Sequence, residues 1–176
     1  MTPLAAILRG LGAGAPGTLA MDALRFARYV HAGGESDFRS RESSAALSSW
    51  EGAPAPAQVG RRLVEGLFQH QLPPERARLV NNVMHWSYGM LNGSMYGIVA
   101  ASMRRPRIRH GLAFGACVWA SGYAVLGTAG LYKPIWEYDA GTLAEDLCAH
   151  FTYGVVTAAA FQLVSAPDLG RSRGDC

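Results

Sequence analysis

The chain has 176 residues, of which 49% are hydrophobic and only 16% charged, against roughly 25% charged in an ordinary globular domain. That length suits one compact unit, the low charge excludes disorder, and three cysteines without paired spacing give neither a disulfide framework nor a metal motif. The net charge of +3 comes from dispersed arginines and one lysine with no basic stripe, so no nucleic-acid partner is expected.

Mean hydropathy is a modest +0.07, but the charges are unevenly placed. Leu79–Met103, Gly111–Tyr132 and Leu147–Pro167 carry none, and about 20 apolar residues suffice to cross a hydrocarbon core of roughly 30 Å. The chain therefore reads as an all-α, polytopic membrane protein forming one domain over 1–176. It has four transmembrane helices at about 3–24, 79–103, 110–132 and 143–166, plus one amphipathic surface helix. The lipid bilayer is its expected partner.

The first span, Pro3–Leu24, is the weakest, because it contains Arg9, Pro16 and glycines at 10, 12, 14 and 17. A re-entrant or interfacial segment is the alternative there. With no Lys or Arg in Met1–Ile7 it does not read as a signal peptide, and an uncleaved segment is expected. Residues 25–78 have a soluble composition and read as an extramembrane loop. Near its end Val59, Leu63, Val64, Leu67 and Phe68 share one helical face, which predicts an amphipathic helix lying on the membrane or packed on the ends of the spans.

Pro73-Pro74 stops that helix and starts the second span. Arg104, Arg105, Arg107 and Arg109 precede the third, and Thr142-Leu143-Ala144-Glu145 has capping-box spacing before the fourth, making Thr142 the expected N-cap. The tail after Ala166 reads as short and frayed. Arginines in the second loop and the tail, Arg171 and Arg173 included, favour cytoplasmic placement of both termini, although Arg25, Arg28, Arg76 and Arg78 border the loop this puts outside. Trp86, Trp119, Trp136, Tyr132 and Tyr138 suit an interfacial belt.

Gly89, Gly93 and Gly97 repeat every fourth residue, as do Gly111 and Gly115. Small residues at this spacing let helix backbones approach closely in lipid, within one chain or between copies of a homo-oligomer. Gly12 to Gly17 also matches G-x-G-x-x-G, but no strand or parallel α/β unit surrounds it, so a nucleotide site is rejected.

The polar pattern bears on function. Asn81, His85, Tyr88, Asn92 and Tyr96 fall on one face of the second span, and Asp146, His150, Tyr153 and Thr157 on one face of the fourth. Lipid offers no hydrogen-bond partners, so both faces should turn inward. At about 1.5 Å per residue His85 and His150 sit at similar depths, near 9 and 10 Å, with Asp146 placed to orient His150 and with Asp22 and Glu137 as further carboxylates that could approach. The candidate polar or ligand site is His85, Tyr88, Asn92, Asp146, His150 and Tyr153, for a proton or small cation that is bound or conducted. Any metal or haem would fall to His85 and His150, but no cofactor is the leading expectation. The competing reading is a scaffold or assembly protein that packs through its glycine faces, its histidines merely hydrogen-bonded. No nucleophile elbow or H-E-x-x-H supports an enzyme.

Several strings carry a resemblance: Pro54–Gly60, Asn81–Gly89, Tyr132–Asp139 and Asp146–Gly154. Together they resemble a group of small, uncharacterised actinobacterial integral membrane proteins and, more distantly, the YagU-like inner-membrane proteins of unknown function. The resemblance spans most of residues 12–165. It implies a bacterial inner-membrane location and transfers no activity or site residue.

Overall fold

Thr2 accepts a hydrogen bond from the Ala5 N–H and Pro3 occupies the first helical turn, a start that leaves few backbone donors unmet. From there α1 runs unbroken over Pro3–His31, through Pro16. It ends where Gly33 turns into the left-handed region at φ +87° and the N–H groups of Gly33 and Gly34 reach back to Val30 and Tyr29. The first helix is therefore continuous and not finished at residue 24, and Arg25 and Arg28 belong to it rather than to the loop.

The computed structural model describes residues 1–104 and 106–171, with only the backbone at 167–171. Arg105, Arg173, Cys176 and the side chain of Arg171, used above for orientation and cysteine counting, lie outside the described residues. After α1 come α2 (Phe38–Glu42), capped by Asp37, and α3 (Ala55–Phe68), which ends at Gln69 in a left-handed conformation, φ 51°. A 3₁₀ turn at Pro74–Arg76 leads into α4 (Ala77–Ser102). Then follow α5 (His110–Thr128), a 3₁₀ turn at Ile135–Glu137, and α6 (Ala140–Arg171). No strand occurs among the described residues.

Two boundaries differ from expectation. The third span stops at Thr128, not Tyr132. The fourth begins at Ala140, and its cap is Asp139, whose carboxylate accepts from the Thr142 N–H at 2.9 Å and its hydroxyl at 2.6 Å. Thr142 is thus the residue capped, not the cap, because Asp139 accepts its N–H and starts the helix three residues earlier. Glu145 and Asp146 then lie beyond the first turn, where the helix dipole no longer explains them. Likewise α6 continues past Ala166.

Helices α1, α5 and α6 are long and apolar enough to cross a membrane. Helix α4 is also long, but Asn81, Asn82, His85 and Asn92 dilute its hydropathy. Exposed apolar side chains cover the outer surfaces, among them Leu8 and Leu19 on α1, Met95 and Val99 on α4, Val125 on α5 and Leu163 on α6, an extent uncommon on soluble monomers.

Packing centres on α1, with α4 against one side, α6 against another, α5 against α6 and α3 against α4. Missing side chains set these approaches. A methyl group on Gly93 would lie 2.6 Å from the Cα of Gly14, and one on Gly97 would lie 3.0 Å from the Cα of Gly10. Between α5 and α6, a methyl on Gly115 would stand 2.8 Å from the carbonyl carbon of His150, and Gly111 meets Gly154. Thus Gly89, Gly93, Gly97, Gly111 and Gly115 all face helices of the same chain. Of the segment matching G-x-G-x-x-G, Gly14 meets α4 at Gly89 and Gly17 meets α6 at Tyr153 and Thr157, while Gly12 faces open space.

Ala13, Tyr96, Ala100, Ala158 and Phe161 form the core with Phe114. Helices α4 and α5 meet there, ring to ring, with the Tyr96 and Phe114 centroids 5.0 Å apart. Trp50, Ala57 and Ala77 form a second cluster that seats α3 on the start of α4, Gly60 lying against Val80 and Met84. The seating face is this small-residue one. Leu63, Leu67 and Phe68 of the amphipathic stripe remain exposed.

Candidate binding cleft

Away from the Tyr96–Phe114 contact, a cleft of about 850 Å³ lies between α4 and α5, within the size range of small-molecule sites. Its floor is α1 and α6, and its roof comes from α2 and the first turns of α3. His85, Tyr88, Asn92, Asp146 and His150 all line it. Tyr153 lines a smaller inward extension of about 30 Å³, with Thr18, Tyr88, His85 and His150.

The two imidazoles share the cleft without a hydrogen bond between them; each is held by its own acceptor. His85 Nε2 is 2.7 Å from Asp22 Oδ2, with side chains 24% and 14% exposed. His150 Nδ1 is 2.8 Å from the backbone oxygen of Asp146 and 3.7 Å from that residue's carboxylate. Asp146 therefore orients His150 mainly through its carbonyl, because the carboxylate is taken by Arg25 Nη2 at 2.6 Å. Arg28 donates to the Glu145 carbonyl at 2.8 Å, adding a second tie between α1 and α6.

These partners fix the tautomers. A carbonyl or an ionised carboxylate only accepts, so neutral His85 carries its proton on Nε2 and neutral His150 on Nδ1. The remaining nitrogens, His85 Nδ1 and His150 Nε2, are then bare acceptors on the cleft.

Sequence reasoning raised Asp22 as a carboxylate that could approach and missed Arg25, Glu42 and Tyr123. Asp22 and Arg25 are three residues apart and share a face of α1, a signal hidden by ending that helix at residue 24. Glu137 stays outside, in the exposed 3₁₀ turn. Trp119 and Tyr132 line the cleft rather than an outer belt. Glu42 Oε1 is buried without a hydrogen-bond partner; burial, then the neighbouring Asp22 charge, push its carboxyl above the ordinary glutamate range against the opposing pull of His85. Among the described residues no three His, Cys, Asp or Glu side chains converge as metal ligands; His85 is engaged by the Asp22 carboxylate and His150 by the Asp146 carbonyl.

Compared with protein-family models, curated proteins and solved structures, the chain matches none.

Proposed function

We propose that this is a membrane-embedded binding protein in which α1, α4, α5 and α6 cross the bilayer as four spans and α3 lies along its surface. The cleft exchanges protons through the Asp22–His85 pair and through His150. The observation that carries this reading is the 2.7 Å Asp22–His85 contact, made between two helices on a cleft also lined by Asp146 and His150. Intramembrane acid–base groups on a cavity are costly to keep and mark binding or proton pathways by default. The groups facing His85 and His150 are Asp22, Arg25, Arg41, Glu42, Tyr88, Tyr123, Tyr132 and Asp146, so any proton taken up answers to all of them.

The scaffold alternative is weakened because the glycine faces are already occupied within the chain. A bacterial inner-membrane location with both termini cytoplasmic accords with the resemblance and the arginine distribution.

The test is reconstitution into vesicles enclosing a pH-sensitive dye, with a potassium diffusion potential applied, alongside isotope-edited NMR of the histidine rings. Proton entry above empty vesicles, lowered by His85→Ala and Asp22→Asn, supports conduction; histidine titration between about pH 5 and 8 that shifts in Asp22→Asn supports proton binding alone. A protein that is monomeric and folded in buffer without detergent overturns the membrane placement. Rings that do not titrate overturn the proton site.

A further inference from the structure

The cleft is far larger than a proton site needs, and most of its buried unmet hydrogen-bonding atoms are acceptors, Glu42 Oε1 among them. His85 Nδ1 and His150 Nε2 are acceptors in the neutral rings. Asn81, 7% exposed, lines the same cleft with its Oδ1 buried and unpartnered, its amide nitrogen being spent on Ser44 Oγ at 2.8 Å. Among the fully buried wall atoms without a partner, the donor is Trp119 Nε1.

Most charged side chains on the wall are already engaged, Asp22 as acceptor of the neutral His85 Nε2–H. Arg25 is held by Asp146, and Arg41 sits over the Tyr29 ring, 3.8 Å from its centroid. Glu42 is the remaining carboxyl on the wall, unpartnered and pushed by burial toward its neutral form, and among the described residues of the wall no free cation is left to select an anionic head.

The opening also has a direction. Leu91, Met95 and Val125 line the cleft and are 58%, 62% and 63% exposed, so its mouth between α4 and α5 is apolar and faces the way the outer surfaces of both helices face. Water enters such a mouth poorly, and a hydrocarbon chain leaves through it at no cost.

We propose that the cleft binds a membrane-dissolved amphiphile with one apolar chain and an uncharged head that donates hydrogen bonds, a long-chain alcohol in its simplest form. The hydroxyl is received by His150 Nε2 or His85 Nδ1, and the chain leaves between α4 and α5. This rests on the membrane placement proposed above, and not on proton conduction.

A matched set with one chain length tests it: tritiated tetradecanol, displaced from detergent-purified protein by tetradecanol, its methyl ether, tetradecylammonium or myristate. The expected result is displacement by the alcohol about tenfold better than by the ether, since the ether leaves a buried acceptor unpaired. In His85→Phe and His150→Phe the alcohol and the ether should become equal.

Gly122 lines the cleft and has nothing within 4 Å of a Cβ built on it, so Gly122→Phe fills the space without a backbone clash. It should abolish displaceable binding while the helical circular dichroism is unchanged. Equal competition by alcohol and ether in the wild type, stronger competition by either charged compound, or full binding by a folded Gly122→Phe overturns the proposal. Solubility without detergent would instead overturn the membrane placement, so the two failures are distinguishable.

Discussion

Tyr153 on α6 donates its hydroxyl to the carbonyl oxygen of Gly89 on α4 at 2.6 Å. The same glycine lies against Thr18 of α1, whose hydroxyl bonds to the Gly14 carbonyl at 2.9 Å, so three helices are tied at the inner end of the cleft. Interhelical hydrogen bonds in bilayers are worth about 0.6 kcal/mol on average and up to about 1.7. Tyr153→Phe should therefore lower stability by no more than about 2 kcal/mol, read by unfolding in mixed micelles, and leave the helix content intact. A loss well above that would mean the hydroxyl organises more than this bond.

The glycines of α1 should divide sharply. A side chain on Gly14 runs into Gly89 and Met90, whereas nothing lies within 4 Å of one on Gly12. Gly14→Leu should prevent α1 and α4 from docking or cost at least about 1–3 kcal/mol, while Gly12→Leu should be neutral or slightly stabilising, since leucine favours the helix more than glycine. Unfolding midpoints of the two variants in the same detergent decide it.

Two glutamates outside the apolar spans should give opposite pH signs. Glu42 is raised by burial and the Asp22 charge, so it binds its proton more tightly folded than unfolded. The stability it supplies is complete below its unfolded value of about pH 4.3 and is lost as pH rises through the folded value. Glu65 is lowered, first by the Leu72 N–H and then by Arg61, so its contribution is present above about pH 4.3 and lost as pH falls. Across a melting series from about pH 3 to 7, Glu42→Gln should gain on the wild type as pH rises. Glu65→Gln should lose its deficit as pH falls.

Arg62 on α3 donates to the backbone oxygen of Ala129, just past the end of α5, so α3 reaches across from α4 to α5. Arg62→Ala should raise amide exchange in the second half of α3 and leave α1 and α6 protected. Unchanged exchange in α3 would show that its seating on α4 through Ala57 and Gly60 suffices.

Much of the candidate site could be read along the chain, and the reason is local. An α-helix repeats every 3.6 residues, so residue spacing alone assigns a common face: His85, Tyr88 and Asn92 share one on α4, and Asp146, His150 and Tyr153 another on α6. All six line the cleft or its inward extension. What defeated the same reasoning was equally local: a glycine-rich first helix with an internal proline read as weak and was ended seven residues early, which removed Arg25 from view.

The sequence by itself determined an all-helical chain, because the charge-free segments Leu79–Met103, Gly111–Tyr132 and Leu147–Pro167 would in lipid have to satisfy their backbone groups internally; in the structure the helices long and apolar enough to cross a membrane are α5, α6 and, in place of α4, the first helix α1. The sequence also determined which side chains share a helical face. Only the tertiary structure decided which partners meet: Asp22 with His85 across 63 positions, and Arg25 with Asp146 across 121. Helical periodicity sets the direction of a face but not the depth at which two faces cross. That register is set where backbones touch, at Gly10 and Gly14 against Gly93 and Gly97 and at Gly111 and Gly115 against Gly154 and His150. These contacts put α1 at the centre and leave α4 and α5 apart at one end, so that a cleft forms between them.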